Sequence, residues 1–190
     1  MPRRIVLISG PPASGKTTIA RPLAAALDFA LLTKDDIKES LFASLNGPPG
    51  DLAFSRRIGS AAMDLLWALA PHCPQLILEA NFRTKSAHER EQLSSLLASP
   101  NSRAVEIHCR IPLDEAARRF ADRASTARHH PAHVLQEMSL DQLSEFAQPF
   151  ALCPVIEVDA RRPLGIAALA DRVRAALDLP PSAPPGAHLK

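Results

Sequence analysis

The run Gly10-Pro11-Pro12-Ala13-Ser14-Gly15-Lys16-Thr17 has the spacing GxxxxGK[ST] and follows directly on the apolar stretch Ile5-Val6-Leu7-Ile8. A strand that turns through glycines into a helix predicts a loop whose N–H groups point inward around phosphate oxygens. Gly10 and Gly15 let the backbone approach an anion closely. Lys16 is then expected at the β- and γ-phosphates and Thr17 at Mg²⁺. The competing reading is a Gly/Pro-rich turn carrying a solvated lysine, and it requires neither the strand before nor the helix after.

With 190 residues, 46% of them hydrophobic, the chain can build a core without a metal or disulfide staple. Cys73, Cys109 and Cys153 are widely spaced and form no CxxC pair, so they read as inert thiols rather than a disulfide framework or a zinc site. The N-terminus leads straight into a strand and no apolar run reaches the length of a membrane span, so the expectation is a cytoplasmic protein with neither a signal peptide nor a membrane partner. A net charge of +2 is too small to argue for nucleic acid or membrane as a partner.

Along the chain, short apolar runs alternate with amphipathic segments. Strands are expected at Ile5–Ser9, Ala30–Thr33, Leu76–Leu78, Ala104–Cys109 and Val155–Val158. Helices are expected over Thr17–Leu27, from Asp35, over Leu52–Leu69, Ser86–Ala98, Leu113–Ala124, Val134–Phe146 and Gly165–Leu179. Pro22 should shorten or bend the first, and Asp36 with Glu39 has capping-box spacing at the second. Trp67 reads as core more readily than as site. The alternation predicts an α/β fold with a parallel sheet covered on both faces, and ligands in such a sheet bind beyond the carboxyl ends of the strands. The positions of interest are therefore the loop after Ile8, Asp35/Asp36, Glu79 to Arg83, the Cys109-Arg110 corner and Asp159.

The order of these motifs resembles the small P-loop kinases that phosphorylate hydroxyls, related to the nucleoside monophosphate kinases. The group includes polynucleotide 5′-hydroxyl kinase domains, chloramphenicol phosphotransferase, zeta toxins and many uncharacterised bacterial kinases. The resemblance spans about residues 4 to 178. It implies a three-layer P-loop NTPase fold, a five-stranded parallel sheet of order 2-3-1-4-5, ATP and Mg²⁺ as cofactors, and a small helical lid. The expected division is a kinase domain over 1–179, with a lid near 113–135, a substrate cap near 45–70, and a disordered tail at 180–190. Gly10 to Thr17 and Thr18 would bind the nucleotide.

In the polynucleotide kinase-like and antibiotic kinase relatives an Asp just after the second strand takes the proton of the attacking hydroxyl. Thr33-Lys34-Asp35-Asp36-Ile37-Lys38 is similar to that segment, which makes Asp35 the expected base. The chemistry also asks for a carboxylate beside the nucleophile, although both aspartates could instead cap the helix. Lys38 stands where polynucleotide kinases carry Arg, and a lysine gives no bidentate grip on a substrate phosphate. Glu79-Ala80-Asn81-Phe82-Arg83-Thr84 looks like the zeta-toxin segment that contacts substrate. Glu79 is read as a substrate or metal-water ligand against a buried structural acid, Asn81 replaces a Thr of that segment, and Arg83 is a substrate ligand or a solvated arginine.

Arg118, Arg119 and Arg123 form the RRxxxR pattern of kinase lids. Arg119 and Arg123, four apart on one face, are expected to neutralise the transferring phosphoryl group, unless the cluster is a solvated face partly balanced by Asp122. Relatives continue with Arg-His-Pro-Gly-His, whereas this chain has His129-His130-Pro131-Ala132-His133, so His129 stands at the arginine's position unless Arg128 takes that role, as a substrate ligand, by a one-residue shift. The histidines fit no standard zinc motif and read as lid residues near the proton or phosphate contacts. The expected activity is ATP-dependent phosphorylation of a hydroxyl on a sugar, antibiotic or nucleoside. The alternatives are a polynucleotide 5′-hydroxyl kinase, disfavoured by 4% aromatics, and a nucleotide-binding regulatory module with slow hydrolysis.

Overall fold

The computed structural model of the chain describes residues 3–98, 101–126, 129–163 and 165–181. The predicted tail lies almost wholly outside them. Strands β1 (Arg4–Ser9), β2 (Ala30–Thr33), β3 (Gln75–Glu79), β4 (Arg103–Arg110) and β5 (Val155–Asp159) form one parallel sheet in the order β2-β3-β1-β4-β5. This is the expected order. β1 lies at its centre, with Ile8 in register with Glu79 on one side and Ile107 on the other.

Alternation along β1 feeds two cores. Val6 and Ile8 face helices α1 (Lys16–Leu27) and α7 (Ile166–Ala176), packing with Leu23, Leu169 and Val173. Ile5 and Leu7 face α3 (Leu52–Leu69) and α4 (Ala87–Leu97), packing with Leu66, Phe82, Leu93 and Trp67. Each such side chain stabilises the fold by about 2 kcal/mol on burial, so the three layers need no cross-link. Cys73, Cys109 and Cys153 are free. No helix among the described residues is long and apolar enough to cross a membrane.

Three local expectations are corrected. Helix α1 runs unbroken through Pro22, which lies on the exposed face where water can take up the freed carbonyl. Helix α2 (Lys34–Ser44) is capped by Thr33, whose Oγ1 accepts from the Asp36 N–H at 3.0 Å, rather than by Asp36. The helix expected over Val134–Phe146 shrinks to α6 (Leu140–Ser144), which begins only where Ser139 and Gln142 form a capping box. Helix α5 (Leu113–Ala124) has its expected bounds.

Candidate active site

The loop after β1 takes its shape from positive-φ residues. Gly10 has φ 132°, and a Cβ there would come within 2.5 Å of the Cys109 carbonyl oxygen, so no larger residue fits. Ala13 at φ 61° and Gly15 at φ 82° turn the chain into α1. Lys16 is buried, and its Nζ donates to the Gly10 and Pro11 carbonyl oxygens at 3.0 and 2.8 Å. Ser14 Oγ is buried with no protein partner, which suits a loop built to wrap an anion.

From this loop a cleft of about 240 Å³ opens along the carboxyl edge of the sheet. It is lined by Pro12, Ala13, Gly15, Lys16, Thr17 and Thr18 from the loop and the start of α1, by Asp35, Glu79 and Asn81 from after β2 and the end of β3, and by Arg119 and Arg123 from α5. Eleven of the residues singled out from the sequence thus meet in one space. Gly10 and Ser14 sit beneath it, and Pro11 faces the opposite side of the loop.

Thr17 Oγ1 donates to Glu79 Oε2 at 3.1 Å, which ties the start of α1 to the end of β3. Glu79 is 4% exposed, and burial pushes its pKa up against the pull of Lys16. Burial likewise lowers the pKa of Lys16, opposed chiefly by Glu79. Asp35 goes the other way. Burial would raise its pKa, but Lys34, His133, Lys16 and Arg123 together outweigh that and hold it below the usual carboxylate value. Lys34 Nζ stands 3.6 Å from Asp35 Oδ1.

Arg119 is braced from behind by Glu115, at 2.5 Å, and by the Ala160 carbonyl oxygen. Glu115, rather than Asp122, is its acidic partner. Arg123 lies over the Phe120 ring at 5.5 Å. Arg128 lies outside the described residues.

Two expected ligands stand apart from the cleft walls. Lys38 is buried between α2 and α3, where its Nζ donates to Ser55 Oγ at 2.8 Å and Ser55 donates on to the Ala132 carbonyl at 2.6 Å. Arg83 is exposed and faces Glu145 at 3.4 Å. The histidine segment packs on α2 and α3: Ala132 is buried against Phe42 and Ile58, and His130 stands edge-on to Phe42. His133 Nε2 meets Glu39 at 3.0 Å, and His129 Nε2 meets the His133 carbonyl. The sequence placed these histidines near the chemistry, but the contacts with α2 and α3 carried no spacing signal. Among the described residues no group of three or more His, Cys, Asp or Glu side chains is set to hold a metal ion.

A second cleft, of about 530 Å³, lies across the loop from the first. It is lined by Pro11, by Arg110 to Pro112, by Ala147 and Gln148, and by Glu157, Asp159 and Arg161 at and after the end of β5. Arg110 and Asp159 stand at the strand ends marked out in the sequence. Ala147 and Gln148 were not anticipated, because they belong to an irregular segment without periodicity.

The profile of the AAA domain family matches residues 5–149. No curated protein matches the chain. Among solved structures, a candidate kinase from Chloroflexus aurantiacus J-10-fl is 28% identical with a TM-score of 0.78, covering 93% of this chain and 100% of that one. Shikimate kinase from Aquifex aeolicus is 16% identical (TM-score 0.52, 92% and 96% covered). Kti12 from Chaetomium thermophilum, solved with ADP-AlF₃, is 16% identical (TM-score 0.58, 91% and 98% covered). The last two share the fold alone. With the loop, the strand order and the family profile in agreement, the chain belongs to the AAA domain family and is a small P-loop, kinase-like protein.

Proposed function

We propose that the chain is an ATP-dependent phosphotransferase that passes the γ-phosphate to a hydroxyl of a small molecule. The observation that carries this reading is the meeting, in one cleft, of the loop bearing Lys16 and Thr17, the carboxylate of Asp35, and Arg119 and Arg123. A switch needs the loop alone; a carboxylate facing it supplies the second half of a transfer site.

The second cleft takes the nucleotide's base and the loop its phosphates, with Lys16 exchanging the Gly10 and Pro11 carbonyls for phosphate oxygens. Thr17 Oγ1 and Glu79 Oε2 make an oxygen-only donor pair, which fits Mg²⁺ directly or through its water shell. Bound there, the ion would offset charge on the β- and γ-oxygens. Asp35 accepts the acceptor's proton as the hydroxyl oxygen bonds to the γ-phosphorus. The bond to the β–γ bridging oxygen breaks, and ADP leaves with that electron pair. Arg119 and Arg123 hold the equatorial oxygens.

The neighbouring Lys34, His133, Lys16 and Arg123 favour the ionised form of Asp35 and make it a weak base. That suits a loose transition state, in which the proton leaves late. The candidate kinase from Chloroflexus, similar over nearly the whole chain, supports the same class of activity. Three free cysteines support a cytoplasmic setting.

The test is an acceptor screen. Purified protein with ATP and Mg²⁺ is offered sugars, aminoglycosides, nucleosides and 5′-hydroxyl oligonucleotides, and ADP release is scored. At least one small-molecule class should raise release well above the acceptor-free rate. Stimulation by oligonucleotides alone would transfer the assignment to a polynucleotide kinase.

A further inference from the structure

Beneath the loop, and outside the cleft of Lys16 and Asp35, three polar side chains are buried together. Ser9, Glu106 and His108 are at most 1% exposed. Ser9 ends β1 and precedes Gly10, while Glu106 and His108 alternate along β4 onto one face. Ser9 Oγ lies 2.5 Å from Glu106 Oε1 and 2.9 Å from His108 Nδ1. The far ends of both side chains reach the segment before β5. His108 Nε2 meets the Ala147 carbonyl oxygen at 3.1 Å, and Glu106 accepts from the N–H groups of Phe150 and Ala151 at 3.1 and 3.0 Å. Ala151 sits at φ 54°, a conformation a non-glycine residue holds only when its surroundings fix it.

Counting hydrogens shows what state this arrangement needs. The contacts Ser9–Glu106, Ser9–His108 and His108–Ala147 each require one. The serine hydroxyl brings one and a neutral imidazole brings another. The third resides on imidazole Nδ1 or on the carboxyl, and either way the cluster carries no net charge. That is the condition under which both groups tolerate removal from water. Burial lowers the pKa of His108, opposed by the Ala147 contact, Glu106 and Glu157, while Lys16 adds to the lowering.

Ala147 and Gln148 line the second cleft, and so does Pro11, two residues after Ser9. We infer that Ser9, Glu106 and His108 are a positioning cluster for the nucleobase, holding the 147–151 wall at a fixed distance from the phosphate loop. None of the three touches the nucleotide; they act through Ala147, Phe150 and Ala151, whose wall they anchor to the end of β1. The inference rests on the reading of the second cleft as the base site.

The experiment is calorimetric titration of the whole chain with two probes, ADP and inorganic tripolyphosphate. The first needs both clefts and the second only the loop. In His108→Leu, ADP affinity should fall about tenfold or more, the loss expected when a buried hydrogen-bond partner goes, while tripolyphosphate affinity changes by less than about threefold. His108→Gln, whose amide can donate to Ala147, should recover most of the ADP affinity. If His108→Leu does not melt cooperatively, Ser9→Ala, which removes only the shared hydroxyl, is read in its place with the same expected split. Unchanged ADP affinity in a folded variant overturns the inference, as does an equal loss of both probes. Wild-type protein that binds tripolyphosphate but gains nothing from the base of ADP overturns it together with the base-site reading. Wild-type protein that binds neither overturns the phosphate loop itself.

Discussion

Asp35 and Glu79 lie in the same cleft, and their surroundings push them in opposite directions. Glu79 is deeper, so desolvation dominates and raises its pKa; Asp35 is ringed by Lys34, His133, Lys16 and Arg123, whose charge overrides desolvation. Two carboxylates whose environments separate them take different tasks. In the proposed transfer Asp35, kept ionised, is the proton acceptor, and Glu79, bonded to Thr17, stands on the side proposed for the metal. Lys16 is the cation between them. Its loss should remove one preorganised donor from the transition state, so Lys16→Ala is expected to lower acceptor-dependent turnover by about 10²–10³-fold, or ~3–4 kcal/mol. Steady-state rates at saturating ATP measure this, and near-normal turnover would sink the assignment of the loop.

At the scale of elements, α2, α3 and the 129–133 segment act as one body. Lys38 is the pin, buried with Ser55 as its hydrogen-bond partner, and its pKa falls from 10.5 to about 8, first through desolvation and then through repulsion from Lys34. Between those two values the unfolded chain binds more protons than the folded one, so stability contributed through Lys38 rises with pH across that window. The gain is at most about 3 kcal/mol. A Lys38→Met variant lacks it. Denaturant melts of both proteins at pH 7 and pH 10 should show wild type gaining on the variant as pH rises. A constant gap would mean Lys38 is not held in a medium that penalises its charge. Cys109 and Cys153, with pKa values raised to about 11 and 12, pull both proteins the other way above pH 9, so only the difference between them is informative.

The same elements show what could be read in advance. The strands were legible because a parallel strand buried on both faces is a continuous apolar run, and the loop because its spacing is dictated by phosphate geometry. The helix over 134–146 was over-read: Leu135 and Leu140 stand five apart, off a common helical face, and are 43% and 52% exposed, so no buried face sustains the helix before Ser139. Lys38 was placed on the substrate because it stands where polynucleotide kinases carry an arginine, and only packing against Ser55 reveals its burial. The Ser9–Glu106–His108 cluster carried no motif, since its partners come from three distant stretches.

For the molecule as a whole, the strand order brings the ends of β1, β2 and β3 side by side, so residues far apart in sequence meet at one edge. Donor loop, acceptor-side carboxylate and arginine helix are thus set around one cleft. On the proposed function this cleft transfers a phosphoryl group to a hydroxyl rather than merely sensing a nucleotide. The direct measurement is acceptor-dependent ADP release by wild type and by Asp35→Asn, compared at saturating ATP with whichever acceptor the screen identifies, after thermal melting has established that the variant is folded. The account predicts a fall of about 10²-fold or more, as expected when a positioned general base is lost. Acceptor-dependent release by a folded Asp35→Asn protein within about threefold of wild type, against that general-base expectation, would contradict it.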